Sequence, residues 1–227
     1  LEVQNNPVDS EEIGQAIFEA MQSVFFENVD LDPYERFENA LKAVNDLLNQ
    51  FKNEKVSNYI GNLNVLISAI VGDQLLLTQA GDAEAYLIRK RFVSVVSDGL
   101  ADDREEGAVF SSIASGQVEA GDVVLFATTR LLRYISKTDL AGCVEKKDIV
   151  QSLDDVRDVI STEILGRVGL TGILFEKFTN EDQREVEAEV DMIRRDAMEV
   201  TNNHTVVRKE TVTGKFFGMV KKYKGNL

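Results

Sequence analysis

Gly121-Asp122-Val123-Val124-Leu125-Phe126-Ala127-Thr128-Thr129-Arg130-Leu131-Leu132 runs from a Gly-Asp turn into five consecutive apolar residues and out through a polar step into another apolar run. The turn chemistry and the apolar, β-branched content read as a strand over Val123–Ala127. Helical spacing then returns, and a short helix is expected over Thr129 to Ile135. A second Gly-Asp pair, Gly81-Asp82, introduces Ala85-Tyr86-Leu87-Ile88 in the same manner.

Upstream, apolar residues at Ile13, Ile17, Ala20, Met21, Val24 and Phe25 mark one helical face. Asp9 or Ser10 is placed to cap that helix, with Glu11 and Glu12 in its first turn. A second amphipathic helix runs from Pro33 through Phe37, Leu41, Val44, Leu47, Leu48 and Phe51. The texture changes at Gly61. Leu63, Val65, Ile67 and Ala69 alternate, Gly72-Asp73 turns, and Gln74 to Gln79 completes a hairpin. Strands at Ala85–Ile88 and Phe92–Val96 flank the basic turn Arg89-Lys90-Arg91.

Downstream, Asp98 to Gly107 reads as a polar loop and Phe110 to Ser115 as a strand. A helix is expected over Asp148 to Leu165, a strand over Leu170 to Phe178, and a charged helix over Glu181 to Met198. Helices on both sides of a run of strands imply an α+β layered domain in which two sheets stack and each is covered by helices. The expected domains are the sandwich at 1–200 and a basic, polar tail or linker at 201–227.

Composition bounds the function. The chain has 227 residues, 44% apolar and 28% charged, enough to bury about 70% of its unfolded surface. The net charge of −14 would repel a phosphate backbone, so nucleic acid is excluded as an expected partner. A lone cysteine, Cys143, has no His or Cys at zinc-ligand spacing and reads as a small buried or half-buried thiol in a reducing, cytoplasmic compartment. His204, the single histidine, has no nearby ligand or nucleophile and reads as an exposed side chain. No stretch approaches a membrane-spanning helix. The start at Leu1, in an apparent strand, suggests a piece of a longer protein, which leaves open the cytoplasmic part of a membrane-anchored one.

Gly81-Asp82-Ala83-Glu84-Ala85-Tyr86-Leu87-Ile88 resembles a Gly-Asp-Ser-x-x-Tyr-Leu pattern of the PPM-type (type 2C) metal-dependent Ser/Thr protein phosphatases. The segment 121–132 is similar to that family's Gly-Asp-x-x-Leu-Leu-x-Thr-Asp-Gly-Leu, downstream at a comparable distance. Phe110 to Gly116 and Leu170-Thr171-Gly172-Ile173-Leu174-Phe175 extend the resemblance, which covers roughly residues 1 to 180. It implies a four-layer αββα sandwich of two mostly antiparallel sheets flanked by helices, in agreement with the layering read from the elements.

The resemblance also implies a chemistry, and there the residues depart from it. Members of that family hold two divalent metals, Mg²⁺ or Mn²⁺, between aspartates and thereby activate a bridging water. Thr129 and Arg130 stand where the Asp-Gly of the second motif aligns. Val168-Gly169-Leu170-Thr171 stands where an Asp-Asn-x-Thr motif aligns, with Val168 and Gly169 at its first two positions. The first motif, Asp-Gly-x-Gly-Gly, would fall at 5–9, where only Asp9 is charged, and helix capping accounts for it.

The resemblance therefore suggests a catalytically degenerate member, a pseudophosphatase serving as an interaction, sensing or regulatory module with a protein partner. No catalytic residue and no cofactor are expected. The alternative is an active phosphatase holding Mg²⁺ or Mn²⁺ through substitute ligands, with Asp82, Asp98 and Asp122 as weak candidates. Asp82 and Asp122 also suit bonding to backbone amides in their turns. Asp98 with Asp102, Asp103, Glu105 and Glu106 reads as a solvated acidic loop or a hard-cation site. Arg130 and Arg133 carry guanidinium geometry suited to phosphate.

The tail has a different character. Residues 201–227 hold six Lys and Arg against one acid, net +5, which leaves −19 on residues 1–200. Lys215, Lys221, Lys222 and Lys224, interleaved with Phe216, Phe217, Met219 and Tyr223, suit an anionic membrane surface. A solvated linker is the other reading.

Overall fold

The computed structural model describes residues 1–101, 108–145, 148–164 and 166–176. Leu1–Phe175 form one compact unit. The charged helix expected over Glu181 to Met198, the basic tail with its lysines, His204, and the acids at 102–106 lie outside the described residues, as does the domain boundary expected near residue 200.

Strand β1 (Glu2–Val3) leads into α1 (Ser10–Phe25) and α2 (Pro33–Glu54). The next strands are β2 (Leu63–Val71), β3 (Gln74–Ala80), β4 (Glu84–Arg89), β5 (Phe92–Val95), β6 (Ala114–Gln117) and β7 (Val123–Ala127). A 3₁₀ turn at Leu131–Arg133, α3 (Lys137–Val144), α4 (Ile149–Ile160) and β8 (Leu170–Leu174) complete the order. Two four-stranded sheets result, β1-β2-β3-β6 and β5-β4-β7-β8. Every pairing in them is antiparallel.

Residue alternation assigns the layers. Val65 and Leu76 pack on Ile13, Ile17, Phe37, Val44 and Leu48, so α1 and α2 cover the first sheet. Tyr86, Ile88, Val123, Leu125 and Ala127 pack with Leu140, Val156 and Ile160, so α3 and α4 cover the second. Leu75, Val118 and Val124, with Leu87 and Phe126 against them, fill the seam between the sheets. Strand β7 is apolar at every position because it is buried on both faces, which is why its sequence does not alternate. The αββα sandwich expected from the sequence is the observed architecture.

Local signals explain most boundaries. Asp32 caps α2 by accepting from the Tyr34 amide at 2.8 Å, with Pro33 in the first turn. Asp148 caps α4 through the Gln151 amide at 2.9 Å. Several expectations shift. The strand expected over Phe110–Ser115 is β6 at Ala114–Gln117, because Asn45 of α2 holds the preceding segment instead. Its Oδ1 accepts from the amides of Val109 and Phe110 at 2.9 and 3.0 Å, and its Nδ2 donates to the Phe110 carbonyl at 2.7 Å. The short helix expected at Thr129–Ile135 is the single 3₁₀ turn, and the helix expected over Asp148–Leu165 ends at Ile160.

Helix α3 has no counterpart in the sequence reading. Its signal is Ser136-x-x-Asp139, where Ser136 Oγ accepts from the Asp139 amide at 3.1 Å and donates to Asp139 Oδ2 at 2.6 Å. Asp9 is a further correction. It occupies the position before α1 but makes no side-chain cap; its Oδ2 accepts from Asn6 Nδ2 at 2.9 Å instead. Cys143 is a buried thiol in α3. Among the described residues no helix is long and apolar enough to cross a membrane.

Candidate functional site

At one end of the sandwich the chain passes from the first sheet to the second through Gly81-Asp82-Ala83. Gly81 has φ +72°, and a Cβ there would lie 2.2 Å from the Leu63 carbonyl oxygen and 2.4 Å from Asn64 Oδ1. The closeness has a purpose. Asn64, 5% exposed, accepts the Asp82 amide on Oδ1 at 2.9 Å and donates from Nδ2 to Glu2 Oε2 at 3.1 Å. A buried amide bonded through both its oxygen and its nitrogen thus fixes where the Asp82 backbone leaves β3.

The same end of the second sheet contributes the step after β7. Arg130 Nε lies 3.1 Å from Asp82 Oδ1 and 3.8 Å from Glu84 Oε1, and Arg133 Nη1 lies 3.8 Å from Asp82 Oδ2. With both side chains of the Arg130–Asp82 pair half exposed, the pair sets geometry more than it stabilises. Arg130 Nε is itself shielded from solvent, and its N–H finds no oxygen in line, Asp82 included. Tyr86, fully buried, braces the step: its hydroxyl donates to Glu84 Oε2 at 2.5 Å and accepts the Leu131 amide at 2.7 Å. Burial, with the Glu84 hydrogen bond added, raises the phenol far above its ordinary pKa, so Tyr86 is a neutral strut here.

Thr128 joins this step to the start of β8. Its amide donates to the Gly169 carbonyl at 3.0 Å and its Oγ1 accepts the Gly169 amide at 2.9 Å. Thr129 and Arg130 on one side, and Val168 and Gly169 on the other, are therefore neighbours at the sandwich end that also carries Asp82. The structure brings together the positions that the resemblance aligned with metal-ligand motifs. Val168 packs against the core of the helix-covered face.

This end opens as a groove of about 530 Å³, whose polar lining among the described residues comes from Gln4, Lys52, Asn62, Asn64, Asp82 and Arg130. Asp82 is the one carboxylate among the described residues that line it. Lys52, exposed in the last turn of α2, forms no ion pair among the described residues. Lys52, Asn62, Asn64 and Gln4 were not singled out from the sequence. Only Asn64 carried a signal, as a polar residue inside an apolar alternating strand.

The other candidates lie elsewhere. Asp122 sits at the opposite end of β7, 1% exposed. It accepts from Arg89 Nε and Nη2 at 2.8 and 2.7 Å and from the Glu119 amide at 2.7 Å. Burial pushes its carboxyl up, but the Arg89 hydrogen bonds, the Glu119 amide and the Arg89 charge outweigh that and hold it below its ordinary pKa. Asp98 is exposed in the turn after β5, where the neighbouring Ser97 Oγ accepts the Ala85 amide at 2.9 Å. The described residues contain no group of three or more His, Cys, Asp or Glu able to hold a metal ion.

Comparison with known proteins gives the fold a class. No family profile matches the chain, and no curated protein matches it. Solved structures do. A bacterial serine phosphatase aligns with TM-score 0.58 and 15% identity over 74% of this chain and 80% of its own. The serine/threonine phosphatase PstP of Mycobacterium tuberculosis aligns with TM-score 0.56 and 13% identity over 74% of this chain and 83% of its own. The PstP catalytic domain in complex with two manganese ions aligns with TM-score 0.55 and 15% identity over 73% and 82%. The chain has the fold of the PPM-type Ser/Thr phosphatases.

Proposed function

We propose that this chain is a pseudophosphatase, a PPM-fold domain that acts as a binding or regulatory module toward a protein partner and hydrolyses no phosphoester. The observation that supports it most is the Arg130–Asp82 pair at 3.1 Å. The chemistry of the fold, when active, uses Mg²⁺ or Mn²⁺ held by hard oxygen ligands to activate water. Here a guanidinium stands beside Asp82, the one carboxylate among the described residues that line the groove, neutralising it and repelling a dication. Thr129, Val168 and Gly169 offer no carboxylate in compensation. The donor set does not fit a metal pair.

The test is hydrolysis of a generic aryl phosphate with excess Mn²⁺, beside an active relative and an Asp82→Ala, Asp122→Ala double variant. Turnover equal to the double variant is the expected result. Turnover well above it would replace this reading with that of an active Mg²⁺- or Mn²⁺-dependent phosphatase using substitute ligands.

A further inference from the structure

We infer that the groove is a metal-independent oxyanion site, in which Lys52 and Arg130 bind a single phosphoryl or carboxylate group of a small organic ligand. The inference rests on reading the groove as a binding rather than a hydrolytic site. Three observations carry it.

The first is local charge. Among the described residues that line the groove, two cations, Lys52 and Arg130, stand against one carboxylate, Asp82, which Arg130 contacts at 3.1 Å, on a domain whose residues 1–200 carry −19. Cations gathered in a concave site of opposite sign to its surroundings focus the field toward an anion.

The second is an unfilled donor. Arg130 Nε is hidden from solvent with no acceptor in line, and a shielded N–H without a partner is costly unless a ligand or water completes it. Arg130 is also anchored from behind, because the Leu131 amide that follows it is fixed on the Tyr86 hydroxyl at 2.7 Å. Lys52, unpaired among the described residues, supplies a mobile second charge of the kind that closes on an anion.

The third is size and lining. A groove of about 530 Å³ lies within the ordinary range for small-molecule sites and holds more than a bare ion. Ile60, Leu63 and Val109 give it an apolar wall beside the amides of Gln4 and Asn62. Such a lining suits an anionic head on a short organic body. Asp82 would then act as the resident competitor: an entering oxyanion takes its place beside Arg130.

Calorimetric titration of the full chain in EDTA, with inorganic phosphate, phenyl phosphate and benzoate as separate probes, tests this. One equivalent of phenyl phosphate or benzoate is expected to bind, more tightly than inorganic phosphate. The stronger of the two organic probes identifies the head group. Lys52→Ala and Arg130→Ala are each expected to weaken binding about tenfold, the scale of one charge-assisted hydrogen bond. Lys52→Arg is expected to retain it, and Asp82→Asn to tighten it. Both cations are at the surface, and an unchanged near-UV spectrum confirms the fold of each variant. Absence of saturable binding by both organic probes, or affinity indifferent to both alanine variants, would overturn the proposal. Turnover of phenyl phosphate on adding Mn²⁺ would end the pseudophosphatase reading and leave the result in EDTA standing.

Discussion

Gly81→Ala is expected to destabilise the domain by about 3 kcal/mol or more, a left-handed backbone cost of about 1–2 kcal/mol joined to an overpacking cost of about 1–3 kcal/mol. The backbone at φ +72° disfavours any side chain, and the new methyl would meet the Leu63 carbonyl at 2.2 Å, a backbone atom that cannot rotate away. Relief would require β2 and β3 to separate where Asn64 holds the Asp82 amide. Gly72→Ala is the control: φ is +63° but nothing lies within 4 Å, so a loss of only about 1 kcal/mol is expected. Denaturant unfolding of both variants measures the difference. Equal losses would mean that the close approach at Gly81 relaxes at little cost and that the crossover is not rigidly placed.

The second large effect belongs to Asp122. Asp122→Asn is expected to cost about 2 kcal/mol at neutral pH, since it removes the charge from a set of buried charge-assisted hydrogen bonds. Its pH dependence follows from the direction of the shift. The folded carboxyl titrates below its ordinary value, so the folded state holds fewer protons on it than the unfolded state. That stabilisation is complete above the ordinary carboxylate pKa of about 3.9 and is lost as pH falls through the lowered folded value. Unfolding free energy measured from pH 7 down to pH 2 should decline in the wild type, and below about pH 4 the Asn variant should decline less. Parallel acid limbs would show that Asp122 is not the group responsible.

The sequence carried the architecture further than the site. The Gly-Asp turns, the Leu63–Gln79 hairpin and the apolar stripes of α1 and α2 are local signals, and each led to an element in place. Strand β7 was legible as five consecutive apolar residues, while the seam it fills was not, since Leu75 and Val118 meet Val124 only in the fold. What escaped depends on contacts distant in sequence. Asn45, 64 and 65 residues from the amides it binds, moves the start of β6. Asn6 draws the Asp9 carboxylate away from capping.

The departures from the motifs that the resemblance aligns were legible at Thr129, Arg130 and Val168. That Arg130 turns toward Asp82 was not, because their meeting requires both sheets. Lys52 is unremarkable on a polar helix until the groove is formed around its last turn. Arg133, suited by its chemistry to phosphate, lies at 3.8 Å from Asp82 and is not among the groove's lining residues.

We propose that Arg130 and its neighbours have replaced the metal-binding character of this fold. Titration of Mn²⁺ into the full chain, followed by the loss of the free-ion paramagnetic resonance signal, tests it most directly. No tight, stoichiometric uptake is expected, and no difference between wild type and Asp82→Ala. Uptake of two equivalents that Asp82→Ala abolishes would contradict it.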